Sequence, residues 1–203
     1  MKDIKWKLKA LFDYNENYIK RVWENYFKAI SKWQDPWLTL VSCCDSRVKA
    51  SLFIQDPINE VFKVNVIWNV IESALWSVDY WVLHLKTPVL IILWHSDCWA
   101  VKATLNDYYI VNDSIRDSLR PIMVGIEWAN CDDVCWSVYN NINHQVMIAN
   151  IRYRELIDSK KLFVIWAYYD LANDFDYWYW KLHFVNINWI TDKDEIKKIV
   201  DEI

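Results

Sequence analysis

Histidine and cysteine stand three positions apart in LWHSDCWAV (Leu93–Val101), and a further cysteine, Cys43, opens the stretch CCDSR some fifty residues earlier. Thiolate sulfur and imidazole nitrogen are the donors that zinc accepts, so Cys43, His95 and Cys98 make a set of two thiolates and one imidazole. Three protein ligands with a fourth position left open mark a catalytic zinc rather than a purely structural one. H-x-x-C alone is weak evidence, because buried thiols beside a satisfied histidine give the same letters. The C-x-D-S-R stretch is what tips the balance toward a metal centre.

The ligands need elements that deliver them to one place. Leu38–Ser42 reads as a buried strand that ends at CCDSR, and PVLIIL (Pro88–Leu93) as a second one that ends at the His–Cys turn. The second has β-branched residues and no charge, as in a strand covered on both faces. Val61–Val66, Leu162–Tyr169 and Lys181–Ile187 read as further strands. Helical spacing covers the first thirty residues, Ile71–Leu85 and the stretches at about 97–106, 113–127 and 133–157. Thr191 or Asp192 is placed to cap a last helix over Glu195–Ile203. Strands alternating with helices imply an α/β fold, with a mainly parallel β-sheet flanked by helices and amphipathic helices at the N-terminus. Ligand sites in such sheets lie at the carboxyl ends of the strands, where both motifs fall.

With 203 residues the chain reads as a single domain, 1–203, with an N-terminal helical arm over about 1–36. A net charge of −4, spread along the chain, gives no reason to expect nucleic acid or a membrane surface as partner. The start has no apolar leader core, and the longest apolar run, Pro88–Trp94, is too short to span a bilayer. Five cysteines, an odd number, argue for metal binding or buried thiols and a cytoplasmic setting rather than a disulfide scaffold. The abnormal figure is one glycine beside fifteen tryptophans, where average usage predicts roughly 14 glycines.

CCDSR followed by HSDC resembles the β-class carbonic anhydrases of prokaryotic type, whose motifs are C-x-D-S-R and G-H-x-x-C-G. VIWNV (Val66–Val70) is similar to the family's V-A-G-N-V, WSVDYWVLHL (Trp76–Leu85) to G-S-x-x-Y-A-V-x-x-L, and VIWAYYDL (Val164–Leu171) to V-x-G-A-x-Y-D-L. VWENYF and WQDP, near the start, resemble G-N-x-x-F and G-Q-x-P. The resemblance implies a zinc lyase in which zinc-bound hydroxide reversibly hydrates carbon dioxide to bicarbonate and a proton. It implies Cys43, His95 and Cys98 as zinc ligands. Asp45 and Arg47 match the catalytic dyad, with Asp45 orienting the zinc-bound water or, in a closed state, becoming the fourth ligand. It also implies a homodimer or a multiple of dimers, built partly through the N-terminal helices. Two other readings share the fold: a carbonyl sulfide or carbon disulfide hydrolase, and a non-catalytic zinc-structured assembly protein. The second has no need of an Asp–Arg pair.

Tryptophan stands where the family has glycine at 33, 68, 76, 94, 99 and 166, and nearly so at 23. One replacement repeated this often points to an alternative genetic code: UGA codons meaning glycine, as in certain bacterial lineages, written out as tryptophan. Gly125 would then come from an ordinary glycine codon. Trp6 and Trp37 match no family glycine. Asn65 departs from the arginine usual before the V-A-G-N segment. Ser46 reads as loop support, Asp97 as a cap for the following helix, and His84, His144 and His183 as packed or solvated. Cys44 should point away from Cys43 by strand alternation, and Cys131 and Cys135 read as buried thiols on one helical face.

Overall fold

The computed structural model describes residues 5–107, 109–127 and 134–202. The chain divides into two compact units, one up to Asp35 and one from Pro36 onward. The first holds helix α1 (Lys5–Arg21) and helix α2 (Glu24–Ile30). On α1 the apolar residues Leu8, Leu11, Phe12 and Ile19 are exposed, while Lys9 and Asp13 pair one turn apart at 2.8 Å.

The second unit is built on a five-stranded sheet of order β2-β1-β3-β4-β5. Its strands are β1 (Leu38–Cys43), β2 (Val61–Val66), β3 (Val89–His95), β4 (Phe163–Asp170) and β5 (Lys181–Ile187). The first four run parallel, and β5 pairs antiparallel to β4. Every residue of β1 is buried, as expected of a strand flanked on both sides and covered on both faces. Side chains alternate between two apolar layers. Val41, Leu90, Ile92 and Val164 face one, with Leu119, Ile122, Ile142 and Val146 of the covering helices. Leu38, Leu40, Ile91 and Leu93 face the other, with Val48 and Ile196.

The helices of this unit are α3 (Leu75–Asp79), α4 (Trp99–Lys102), α5 (Asp113–Glu127), α6 (Val134–Arg152), α7 (Arg154–Asp158) and α8 (Lys193–Glu202). Gly125 lies where α5 crosses α6, and a β-carbon there would sit 2.9 Å from the Cα of Asn141. Glycine's small size is a requirement at that crossing.

Several boundaries differ from the sequence reading. β1 reaches Cys43 and β3 reaches His95, so two candidate ligands sit on the strands themselves rather than in the loops after them. The helix expected over 133–157 is broken at Tyr153, whose φ of −107° and ψ of 21° interrupt the helical run. The stretch Ile71–Leu85 is a 3₁₀ turn, then α3, then a wider π-type turn over Tyr80–Leu85. Asp192, not Thr191, caps α8, its carboxylate accepting the amides of Asp194 and Glu195 at 3.1 and 2.9 Å.

Asp79 at the end of α3 ties that helix to the end of α6. Its carboxylate accepts Arg152 Nε at 2.6 Å and Arg152 Nη2, and the buried Tyr153 hydroxyl at 2.8 Å. Hydrogen bonds from Arg152 hold its carboxyl below the usual range, against partial burial and with help from Tyr153. A depressed folded pKa contributes stability that is complete above the unfolded value, near 4, and lost as pH falls below it. Asp79→Asn should therefore cost about 1–2 kcal/mol at pH 7. The gap between variant and parent should shrink at pH 3, as read from urea midpoints at the two pH values.

Candidate metal centre

The parallel register puts Ser42 of β1 beside Leu93 of β3, so Cys43, one residue on, and His95, two residues on, emerge at neighbouring carboxyl ends. Cys98 follows after a tight turn in which Asp97 takes a φ of 58°. All three candidate ligands are buried, His95 and Cys98 at 1% exposure each.

The turn is fixed from β4. His95 lies opposite Tyr169, and the Ser96 amide donates to the Tyr169 carbonyl at 3.1 Å. The Ser96 hydroxyl accepts the Ala172 amide at 2.9 Å. The Ser96 carbonyl lies 2.8 Å from His95 Nδ1. With Nδ1–H donating there, the Nε2 lone pair is left bare. Nε2 is buried without a hydrogen-bond partner among the described residues, 3.9 Å from Asp45 Oδ2. A buried imidazole held by a backbone carbonyl at one nitrogen, with the other bare, is the arrangement of a metal-ligating histidine.

The ionisations of the two sulfurs are tied together. A hydrogen bond from Cys98 drives the Cys43 thiol well down against burial, with His95 and the backbone amides of Asp45 and Trp68 adding to the effect. Cys98 is pushed up in turn, by that same bond and by burial, while the amides of Ala100 and Val101 favour its thiolate. His95 is weakened as a base by burial, yet moves upward on balance through Cys43, the Ser96 carbonyl and Asp45. Cys43 thus contacts both other donors. Among the described residues no group of three or more His, Cys, Asp or Glu side chains has the mutual spacing of a finished metal cage. The donors stand close enough for the ionisation of each to act on the others. Two sulfurs and a bare imidazole nitrogen, already desolvated, fit a zinc ion by the chemistry of the set.

Beside them Arg47 grips Asp45 in two places, Nε to Oδ1 at 3.0 Å and Nη2 to Oδ2 at 2.8 Å, and its backbone amide reaches Oδ1 at 2.8 Å. These bonds, the guanidinium first, hold the Asp45 carboxyl down at about 2 despite partial burial. The carboxylate is therefore an obligate acceptor across the working pH range.

Other residues fall as follows. Ser46 and Cys44 are exposed, and Cys44 lies just past the end of β1. Asn65 is exposed on β2, opposite Ser42. His84 lies on the Tyr80–Leu85 turn, His144 on α6 and His183 on β5, none on an element that carries the site. Asp97 makes no helix cap, because Cys98 occupies the cap position of α4 and no side chain bonds there. The Asp97 carboxylate pairs with Lys102 instead. Cys131 and the side chain of Cys135 lie outside the described residues. Ser96 is the residue that sequence reasoning missed. Its place between His95 and Asp97 was visible, but its bonds to Tyr169 and Ala172 depend on the register with β4.

The carbonic anhydrase family profile matches residues 38–174, which spans both strand ends and the turn between the ligands. The chain belongs to the carbonic anhydrase family. Carbonic anhydrase 2 of Mycobacterium tuberculosis is 35% identical over 93 residues, covering 44% of this chain and 45% of that protein. The chain's match spans less than half the length of the curated relatives. Among solved structures, a β-carbonic anhydrase from Coccomyxa in complex with acetazolamide superposes with a TM-score of 0.75 at 19% identity, covering 98% of this chain and 92% of that one. A tetrameric β-carbonic anhydrase from Sordaria macrospora superposes with a TM-score of 0.74 at 16% identity, covering 92% and 98%. The fold is that of the β-carbonic anhydrases.

Proposed function

We propose that this carbonic anhydrase family member hydrates carbon dioxide reversibly with a zinc ion held by Cys43, His95 and Cys98. The observation that carries the proposal is the convergence of two buried sulfurs and a bare His95 Nε2 beside an Arg47-gripped Asp45. A zinc ion in that position would supply a Lewis acid able to make water nucleophilic at neutral pH. The protein's own groups do the rest. Asp45, kept ionised by Arg47, accepts a hydrogen bond from the attacking water and aims its lone pair. Ser96 fixes the His95 ring through its carbonyl, and the amides of Asp45 and Trp68 steady the Cys43 thiolate. Leaving Arg47 would free Asp45 to close the site as a fourth ligand.

The same reading takes the working protein to be a dimer or a multiple of dimers, the exposed apolar face of α1 being a suitable contact surface. Its compartment is the cytoplasm, where thiol ligands stay reduced. It also takes glycine to stand where many of the tryptophans are written. Trp68, Trp180 and Trp189 support this, since each holds a positive φ, of 66°, 66° and 78°. A β-carbon makes that conformation costly and glycine does not.

The test is stopped-flow carbon dioxide hydration by zinc-loaded protein made with glycine at positions 68, 94 and 99. A zinc-dependent rate is expected. A rate no faster than buffer, from protein containing one zinc per chain, would overturn the proposal.

A further inference from the structure

Strand β5 closes one end of the sheet, two strands away from β3 and its ligands. Between β5, the hairpin before it and α8 lies a cavity of about 580 Å³. The size falls in the range of small-molecule sites. None of its walls is a tryptophan.

Its walls divide by chemistry. Lys181, Lys193 and Lys197 line it, as do Thr191 and the ring of His183. Apolar surface comes from Phe175, Tyr177, Leu182, Phe184 and Ile196. Lys193 and Lys197 are one turn apart on α8, where like charges repel. Lys181 and Lys193 both press on His183, whose protonation is disfavoured first by burial and then by these two cations, against the pull of Asp170.

Among the described residues no ion pair joins Lys181, Lys193 or Lys197 to a carboxylate, and three of the nearby acids are engaged elsewhere. Asp170 accepts the amides of Asp174 and Phe175 at 2.8 and 3.0 Å, and Asp174 takes the Tyr168 hydroxyl at 2.5 Å. Asp192 caps α8. The Lys181 ammonium lies over the Tyr177 ring, 4.8 Å from its centroid. Three lysines with no ion-pair partner among the described residues, set around an apolar hollow, offer charge and hydrogen bonds to a small anion.

We propose that this cavity binds a phosphorylated aromatic compound, with the phosphates on the lysines and a flat ring against Phe175, Tyr177 and Leu182. Inorganic phosphate alone would use the cations and leave the apolar wall wet. An uncharged ring would leave the lysines without a partner. The chemistry of both halves together is that of a nucleotide. The inference goes beyond the zinc-site reading and does not rest on it.

Isothermal titration with ADP, adenosine and orthophosphate on the full chain tests this. ADP should bind saturably at low salt, at least about tenfold more tightly than either fragment. The K181Q/K193Q/K197Q variant should bind ADP at least about tenfold more weakly while keeping its melting temperature, since all three side chains reach into solvent. Three results would overturn the proposal: no saturable ADP binding, orthophosphate or adenosine binding as tightly as ADP, or an unchanged affinity in the triple variant. A triple variant that changes oligomeric state by gel filtration would also overturn it, assigning the hollow to a second copy of the chain.

Discussion

Cys43→Ala is expected to lose its zinc and at least about a thousandfold in carbon dioxide hydration, a modest share of the acceleration that enzymes of this power supply. The substitution removes the proposed ligand whose charge acts on both Cys98 and His95. Cys44→Ala is the matched control. Cys44 is exposed, so its removal should change neither zinc content nor rate by more than about twofold, as for surface substitutions generally. Asp45→Asn separates holding the metal from using it. It keeps the side-chain volume but removes the charge that Arg47 grips, and should retain one zinc per chain while losing roughly 10²–10⁴ in rate. Zinc content by mass spectrometry and rates by stopped flow check all three. If Cys43→Ala keeps both metal and rate, Cys43 is no ligand.

The contrast among these residues shows what the sequence could and could not reveal. Cys43 and His95 were legible because each ends an uncharged run, and an α/β sheet delivers such ends to one edge. The Asp45–Arg47 pair was legible through the resemblance of C-x-D-S-R to the family motif, and its two-residue spacing lets the guanidinium reach back to its neighbour. Ser96 was not. Its bonds go to Tyr169 and Ala172, more than seventy residues away, and exist only once β3 and β4 are in register. Asp97 misled for a local reason. A carboxylate before a helix reads as a cap, but its left-handed backbone hands the cap position to Cys98 and leaves the carboxylate to Lys102. The bond from the Tyr153 hydroxyl to Asp79 on a distant helix was hidden for the same reason as those of Ser96. Contacts across many residues decide such details, whereas periodicity along a few residues decides the elements.

Glycine in place of tryptophan at 68, 94, 99, 166, 180 and 189 should yield a protein that binds one zinc per chain and works at least about a hundredfold faster than the tryptophan form. A misplacement of about 1 Å in a catalytic group costs that much. The indoles of Trp68 and Trp99 pack against each other with centroids 5.2 Å apart, one beside the amide that faces Cys43 and the other next to Cys98. Trp94 is fully buried, and its indole N–H has no acceptor among the described residues. The sharpest case lies far from the zinc site. Ile187 and Ile190 exchange backbone hydrogen bonds at 3.0 and 2.9 Å across Asn188 and Trp189, whose φ values are 48° and 78°. Two positive φ values between paired residues define the type I′ turn, for which Asn-Gly is the preferred sequence. Trp189 matched no family motif in the sequence, so the turn is independent support for reading it as glycine. Trp189→Gly relieves a left-handed penalty of about 1–2 kcal/mol, less about 0.4–1 kcal/mol for the freer unfolded chain. With Trp180→Gly added, the melting temperature should rise by roughly 5 °C. Trp189→Ala should gain little, because alanine keeps the β-carbon that causes the strain. The gene offers the decisive check: UGA codons at 180 and 189, as at 68, 94 and 99, are expected, and UGG at these positions would mean that the strained tryptophans are real.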